Sequence, residues 1–243
     1  SRSDSDHIYN TPRAWFMERY FNPHTTKWDG PEAEYTPVSD DLPWCMIPEK
    51  KITVEDVKYV LSSHFQGTPY DPYGQYGDKA LRGAYRSIRN DFVSVMQLRP
   101  GMEQDNSAVE WVAFASNAFN TLAPFYAQVE ETPEYLSCTT KQVSTDSFYW
   151  VSRMIAAMAD ASYGKSLFHI ERYQDKVMAK SHEIVGRYDK LLQKEADALK
   201  RQQLRRSANE EIAEMLQEEA ADTLDKVLYE LSNQMKNAYS RSD

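Results

Sequence analysis

From residue 166 onward the chain carries two apolar seams of helical period, and no strand-based fold can absorb them. Ile170, Tyr173, Val177, Ile184, Tyr188 and Leu191 recur at heptad-like spacings, and Ile212, Met215, Leu216, Leu224, Val227, Leu231 and Met235 repeat the pattern. Between them, Ser207 and Glu210 stand three apart in the pattern of a capping box, which predicts the start of the second helix there. At 1.5 Å per residue a helix of ~30 residues spans about 45 Å, so the two are expected to form an antiparallel hairpin lying along the body of the protein. Residues 166–243 are therefore read as a helical C-terminal extension, and any functional site is sought in residues 1–165, where the aromatic residues crowd.

That earlier part has a different texture. Thr11 followed by Pro12 reads as a helix start, with a short helix from Pro12 to Phe21. Residues 22–48 hold five prolines and one glycine, too broken for regular structure, while Trp28, Tyr35 and Trp44 make an ordered, packed loop the expectation. Thr53 caps a second helix whose first turn carries Glu55 and Asp56, where the helix dipole favours them. Phe92 to Leu98 and Ala108 to Ala115 alternate as strands and are joined by a glycine-containing connection, which predicts a hairpin. From Phe148 the period becomes helical again, with Val151, Met154, Ile155 and Met158 on one stripe.

Several function classes fall away on composition. A formal net charge of −9 does not suit a surface that tracks phosphates, so no nucleic-acid partner is expected. No run approaches the ~20 apolar residues of a membrane span. Cys45 and Cys138 are the only cysteines, far apart and without metal-ligand spacing, which argues for free thiols. Asp4, Asp6 and His7 could converge on a cation, but nothing downstream supplies a matching ligand pair, so no metal and no other cofactor is expected. The five histidines are scattered and no G-x-S-x-G elbow occurs, so no serine or cysteine triad is legible. What remains are polar residues in an aromatic setting: Arg2, Asp6, Asn10 and Arg13 around the first turn, Asn117 and Asn120 after a strand, and Arg153 on a helix.

Longer phrases carry more. SRSDSDHIYNTPRAWFMERYFNP, IPEKKITVEDVKYVLSSHFQGTPYDPYG, SVMQLRP, VEWVAFASNAFNTLAPFYAQVEETPEY and STDSFYWVSRMIAAMADASY resemble, in the same order, the C-terminal half of the C69 dipeptidases. The likeness runs from Ser1 to about Tyr163. It implies an N-terminal nucleophile hydrolase of α+β class: the C-terminal portion of an αββα sandwich, incomplete here, carrying a long helical hairpin. It further implies a cysteine nucleophile at the mature N-terminus whose own α-amino group is the base, so no histidine is needed.

The sequence departs from that pattern where it matters most, because it holds no such cysteine-led start. The resemblance thus implies a chain inactive alone, acting with the missing N-terminal half on unmodified dipeptides. Asn117 is the candidate for orienting the reacting carbonyl or the nucleophile's amine. Arg153, Arg2, Asp6, Asn10 and Arg13 are candidates for binding substrate or holding the loop that does. A serine nucleophile at Ser1 is the rival, although Ser1 leads into RSDSDH rather than an alternating strand. An amidase acting on non-peptide amides, and a noncatalytic helical interaction module, remain as other readings. Exposed strand edges would also invite a homo-oligomer. The expected location is the cytoplasm, any signal peptide lying on the missing half.

Overall fold

The computed structural model describes residues 3–75, 77–88 and 90–236. They form two compact units, Ser1–Arg89 and Asn90–Asp243. The class is α+β, with six α-helices and one small antiparallel sheet among the described residues.

In the first unit, helix α1 (Asn10–Phe21) begins two residues earlier than Thr11-Pro12 suggests. The turn before it is already wound, since Asn10 N–H and Thr11 N–H both donate to the Asp6 carbonyl. Pro12 still falls in the first turn, where its missing N–H has no intrahelical partner to lose. Helix α2 (Val54–Leu61) is capped by Thr53 as expected, and Asp56 completes a capping box. Asp56 also accepts from the Tyr20 hydroxyl at 2.6 Å and from Lys50 at 2.7 Å, tying α2 to α1. Burial opposes its ionisation, but the hydrogen bonds from Lys50, Tyr20 and Thr53 win and hold the carboxyl well below the usual range.

The core of this unit is aromatic: Trp15, Phe16, Trp28 and Phe65, with Tyr35, Leu42, Met46, Tyr70 and Tyr85 packed around them. Residues 22–48 contain no helix or strand and contribute Trp28 and Tyr35 to that core, so the loop is ordered by its rings. Trp44 departs from the expectation, being 100% exposed. Its neighbours Leu42 and Met46 take the inward positions instead.

In the second unit, β1 (Phe92–Leu98), β2 (Ala108–Phe114) and β3 (Ala123–Tyr126) form a sheet in the order β1-β2-β3. The predicted hairpin is present, pairing Phe92 with Phe114 and Leu98 with Ala108. Strand β3 is an addition that its sequence hides, because Pro124 within it cannot donate to a ladder; the edge position makes that tolerable. One sheet face, carrying Val93, Val109, Trp111, Ala113 and Tyr126, is buried. The opposite face leaves Phe92, Met96 and Leu98 exposed along β1.

The connecting helices are α3 (Glu134–Ser137) and α4 (Phe148–Ala161), followed by α5 (Tyr163–Leu192) and α6 (Ala198–Ser232). The last two run antiparallel: His169 meets Glu230, Lys176 and Lys180 grip Glu219, and Arg187 meets Glu211. The seam residues Ile170, Tyr173, Val177, Ile184 and Tyr188 are buried against Ile212, Met215, Leu216 and Val227. Leu191 and Met235 face outward, and Leu192 takes the inward place at the end of α5.

The capping box at Ser207 and Glu210 is a misreading, since both lie inside α6, which starts nine residues before Ser207. Asp197 is the cap, its carboxylate accepting from the N–H groups of Leu199 and Lys200. Helix α6 also closes the sheet edge: the Asn209 side chain accepts from Tyr126 N–H at 2.8 Å and donates to Tyr126 C=O at 3.1 Å. A side-chain amide there takes the place of a further strand.

Candidate functional site

The candidate site grows from the end of β2. Ala115 N–H donates to the Asp91 carbonyl at 2.8 Å, extending the pairing one step beyond the strand. Ala115 itself has φ +65°, a left-handed conformation that costs a residue bearing Cβ about 1–2 kcal/mol. The chain therefore leaves the sheet abruptly. It winds a single turn in which the Ser116 carbonyl accepts from Phe119 N–H at 3.0 Å and Asn120 N–H at 3.1 Å. Asn117 rides on that turn.

Asn117 and Asn120 are each only 1% exposed. Asn120 Nδ2 donates to the carbonyls of Phe114 (2.6 Å) and Ala115 (3.0 Å) and to Asn117 Oδ1 (3.2 Å). Two of those acceptors are backbone carbonyls, which can only accept, so the Asn120 amide has one allowed orientation. The atom of Asn117 that faces it is the oxygen, which shares one of the two Asn120 amide hydrogens at 3.2 Å, and the Asn117 NH2 group is turned the other way. From α5, Gln174 Nε2 donates to the carbonyls of Ala118 (3.2 Å) and Asn120 (2.8 Å), holding the turn from outside.

Arg153 approaches the same end of the sheet. It lies on α4 with its guanidinium 3.9 Å from the Asp91 carboxylate and its Nη1 donating to the Tyr149 hydroxyl at 3.3 Å. The Tyr149 ring is 6.1 Å from that of Phe114, the last residue of β2. Asp91 thus serves both sides of the corner, its carbonyl holding Ala115 and its carboxylate facing Arg153. The guanidinium remains partly open to solvent and presents a planar fork suited to a carboxylate.

The other predicted residues belong to the first unit. Asn10 Nδ2 donates to Asp6 at 2.7 Å, and Ser3 donates its hydroxyl to the same carboxylate at 2.6 Å. Those bonds, the Ser3 one foremost, hold the Asp6 carboxyl below its ordinary range. Arg13 donates to the carbonyls of Arg86 (3.0 Å) and Ser87 (2.9 Å) and lies over the Tyr9 ring, joining α1 to the end of its unit. Arg2 lies outside the described residues. The structure therefore bonds Asp6 to Asn10, sets Arg13 against Tyr9 and the end of its unit, and links Arg153 to Asp91, whose carbonyl holds Ala115 two residues before Asn117.

Of the other chemistry weighed from sequence, His7 pairs with Asp40 at 2.8 Å. Among the described residues no group of three or more His, Cys, Asp or Glu could hold a metal ion. Cys45 and Cys138 are both free thiols, and Cys138 donates to the Asp146 carbonyl. No helix among the described residues is long and apolar enough to cross a membrane. Asn120 was visible in the sequence as a polar residue after a strand, without an assigned role. Gln174 gave no signal, because it sits beside Tyr173 in a charged, heptad-patterned stretch where a polar residue reads as solvated.

The model of peptidase family C69 matches residues 1–176, which takes the likeness past Tyr163 and into α5. A dipeptidase of Bifidobacterium longum is 43% identical, aligned over all of this chain and 53% of its own length. A probable dipeptidase A of Streptococcus pyogenes is 40% identical over all of this chain and 49% of its own. Dipeptidase A of Lactobacillus helveticus is 32% identical over 78% of this chain and 39% of its own. The chain spans about half the length of the first two.

Proposed function

The chain belongs to peptidase family C69, and on that premise we propose that it is one half of a dipeptidase, supplying groups that stabilise the reacting carbonyl and hold the substrate. The nucleophile, an N-terminal cysteine, is carried on the other half, and the chain alone is inactive. Residues 1–165 are its share of the catalytic part and residues 166–243 an extension packed on its sheet. The reading is supported above all by Asn117, a buried amide with its oxygen engaged and its donor end oriented.

In this mechanism the thiol loses its proton to the α-amino group of the same cysteine and attacks the carbonyl carbon of the dipeptide. The carbonyl oxygen becomes an oxyanion and receives a hydrogen bond from Asn117 Nδ2. A preorganised donor of this kind is worth ~3–4 kcal/mol of barrier lowering. The ammonium then returns the proton to the leaving amine, the C–N bond breaks, and water hydrolyses the resulting thioester. Asn117 does not titrate, so its contribution is constant with pH. Arg153 holds the substrate carboxylate, for which a charged hydrogen bond contributes about 1.5–3 kcal/mol. Asp6, Asn10 and Arg13 hold the turn of residues 3–10 and the first turn of α1.

The other half supplies the second layer of an αββα sandwich. The exposed row of Phe92, Met96 and Leu98 on the open face of β1 is the surface that such a layer would cover, and the backbone edge of β1 is otherwise open to pairing between copies in a homo-oligomer. Two free thiols suit the cytoplasm as its place of action.

The test is a substrate panel for the complete protein: unmodified dipeptides, the same dipeptides N-acetylated, and simple acyl amides. Turnover confined to unmodified dipeptides is expected. Turnover of the acyl amides with none of the dipeptides would replace this reading with that of a non-peptide amidase.

A further inference from the structure

We propose that Gln174 is a positioning residue for Asn117, acting from the long helix α5 through the turn of residues 116–120. The inference rests on the proposed role of Asn117 and extends it to a residue that touches no substrate. It begins from the two hydrogen bonds of Gln174 Nε2 to the carbonyls of Ala118 and Asn120. One side-chain amide spans residues on either side of Phe119, so the turn cannot rotate without breaking at least one bond.

Asn120 carries that constraint inward. Its backbone carbonyl is held by Gln174, and its side chain holds Phe114, Ala115 and the oxygen of Asn117. The orientation of the Asn117 amide follows from the orientation of Asn120, because the two backbone acceptors leave Asn120 no alternative. Gln174 and Asn120 thus form a two-step support, from helix to turn and from turn to amide.

A second observation points the same way. Ala115, at φ +65°, keeps a strained conformation where the chain turns out of the sheet. Strain of this kind persists only where the surroundings over-determine it, and it concentrates where a functional group must be aimed. Asp91, which accepts from Ala115 N–H, and Asn120, which donates to the Ala115 carbonyl, are the surroundings that do so here, and Gln174 holds Asn120. The match to the family model also continues to residue 176, two residues past Gln174, although the heptad pattern alone assigns this part of α5 to packing.

The experiment is a kinetic cycle in the complete protein with an unmodified dipeptide as substrate. Gln174→Met keeps the length of the side chain and removes its donors. Gln174→Lys restores N–H donors toward the same carbonyls, and Gln174→Glu faces them with oxygen. Misplacement by about an ångström can lower turnover by up to ~100-fold, so a fall in kcat of roughly tenfold is expected for Gln174→Met. KM should stay within about twofold, the larger loss should fall on Gln174→Glu, and Gln174→Lys should recover most of the rate.

In an Asn117→Ala background, Gln174→Met should change nothing further. An unchanged kcat in Gln174→Met would overturn the proposal, as would an equal fall in both backgrounds or the loss of folded protein in all three variants by circular dichroism. Should Asn117→Ala itself leave kcat unaltered, the role of Asn117 fails first and the proposal falls with it, a result distinct from a Gln174 variant that alone has no effect.

Discussion

Two polar turns in this molecule look alike in sequence and differ in what surrounds them. The turn of residues 116–120 buries two asparagines and fixes the Asn120 amide by two backbone carbonyls whose chemistry permits one orientation, with the Asn117 oxygen held through Asn120. The turn of residues 3–10 leaves Asn10 exposed, and the Asn10 amide bonds only within the turn, to Asp6, while His7 and Ile8 tie the turn to Asp40 and Arg86. A buried amide costs stability unless its hydrogen bonds are made, whereas an exposed one exchanges water for a neighbour at little net gain. The first arrangement is expected where an amide must be aimed; the second is sufficient to hold a surface turn in place.

Substituting each side in turn tests that contrast. Asn117→Ala in the complete protein should reduce turnover at least ~100-fold, the magnitude of losing one oxyanion donor. A change of less than about threefold would remove Asn117 from the reaction and collapse the distinction.

The next effect concerns titration, because the first unit buries a lysine whereas the amides buried in the turn of residues 116–120 do not titrate. Burial pushes the Lys58 ammonium down to about 7 from its ordinary 10.5, and its Nζ lies 2.6 Å from the Ser62 hydroxyl. Between those two values the unfolded chain binds a proton that the folded chain does not, so stability should rise with pH through that window, by a few kcal/mol. Below about 7 both states are protonated and the burial penalty is present in full. Thermal melting against pH should show the rise in the parent and a flat line in Lys58→Met; a parent that is flat would contradict the burial of a titrating amine.

Smaller effects should come from the first turn and from α1. Arg13→Ala loses two charged hydrogen bonds to the carbonyls of Arg86 and Ser87 and should lower stability by about 2 kcal/mol while kcat stays near the parent value. A kcat falling as far as in Asn117→Ala, with melting unchanged, would bring Arg13 into the reaction. Asn10→Ala, at an exposed position, should shift stability by no more than about 0.5 kcal/mol in a denaturant titration. A larger loss would mean that the turn of residues 3–10 is more than a local arrangement.

The sequence reached the elements whose signals are long and periodic. Both strands of the hairpin, the Thr53 cap, α4 and the two long helices follow from apolar spacing, which tertiary packing reinforces. It missed β3 because Pro124 argues against a strand unless the strand is known to be an edge, and edge position is a property of the assembled sheet. It misplaced the start of α6 because Ser207 and Glu210 satisfy a short local pattern, while the helix is extended back to Asp197. Arg201 and Arg205 sit in that earlier stretch, bound to Asp105 and Asn106 on the far side of the sheet sequence.

The site was legible to a similar depth. Asn117 stands out as a polar residue directly after an apolar strand, and its burial follows from the turn made there. Gln174 does not stand out, since its meaning depends on two carbonyls more than fifty residues earlier in the chain. Arg153 could be named from sequence but not placed; Asp91, its partner, is ordinary in a loop until the hairpin brings it beside Ala115.

The proposed reaction depends most directly on where the nucleophile lies. Hydrolysis of unmodified dipeptides should therefore be measured for this chain alone, with folding checked by circular dichroism, and again after the other half of the protein is supplied. A folded chain without turnover is predicted, since loss of a nucleophile costs about six orders of magnitude, with activity appearing once the halves are combined. Dipeptide turnover at an enzymatic rate by the chain alone would place a nucleophile within these 243 residues and contradict the account.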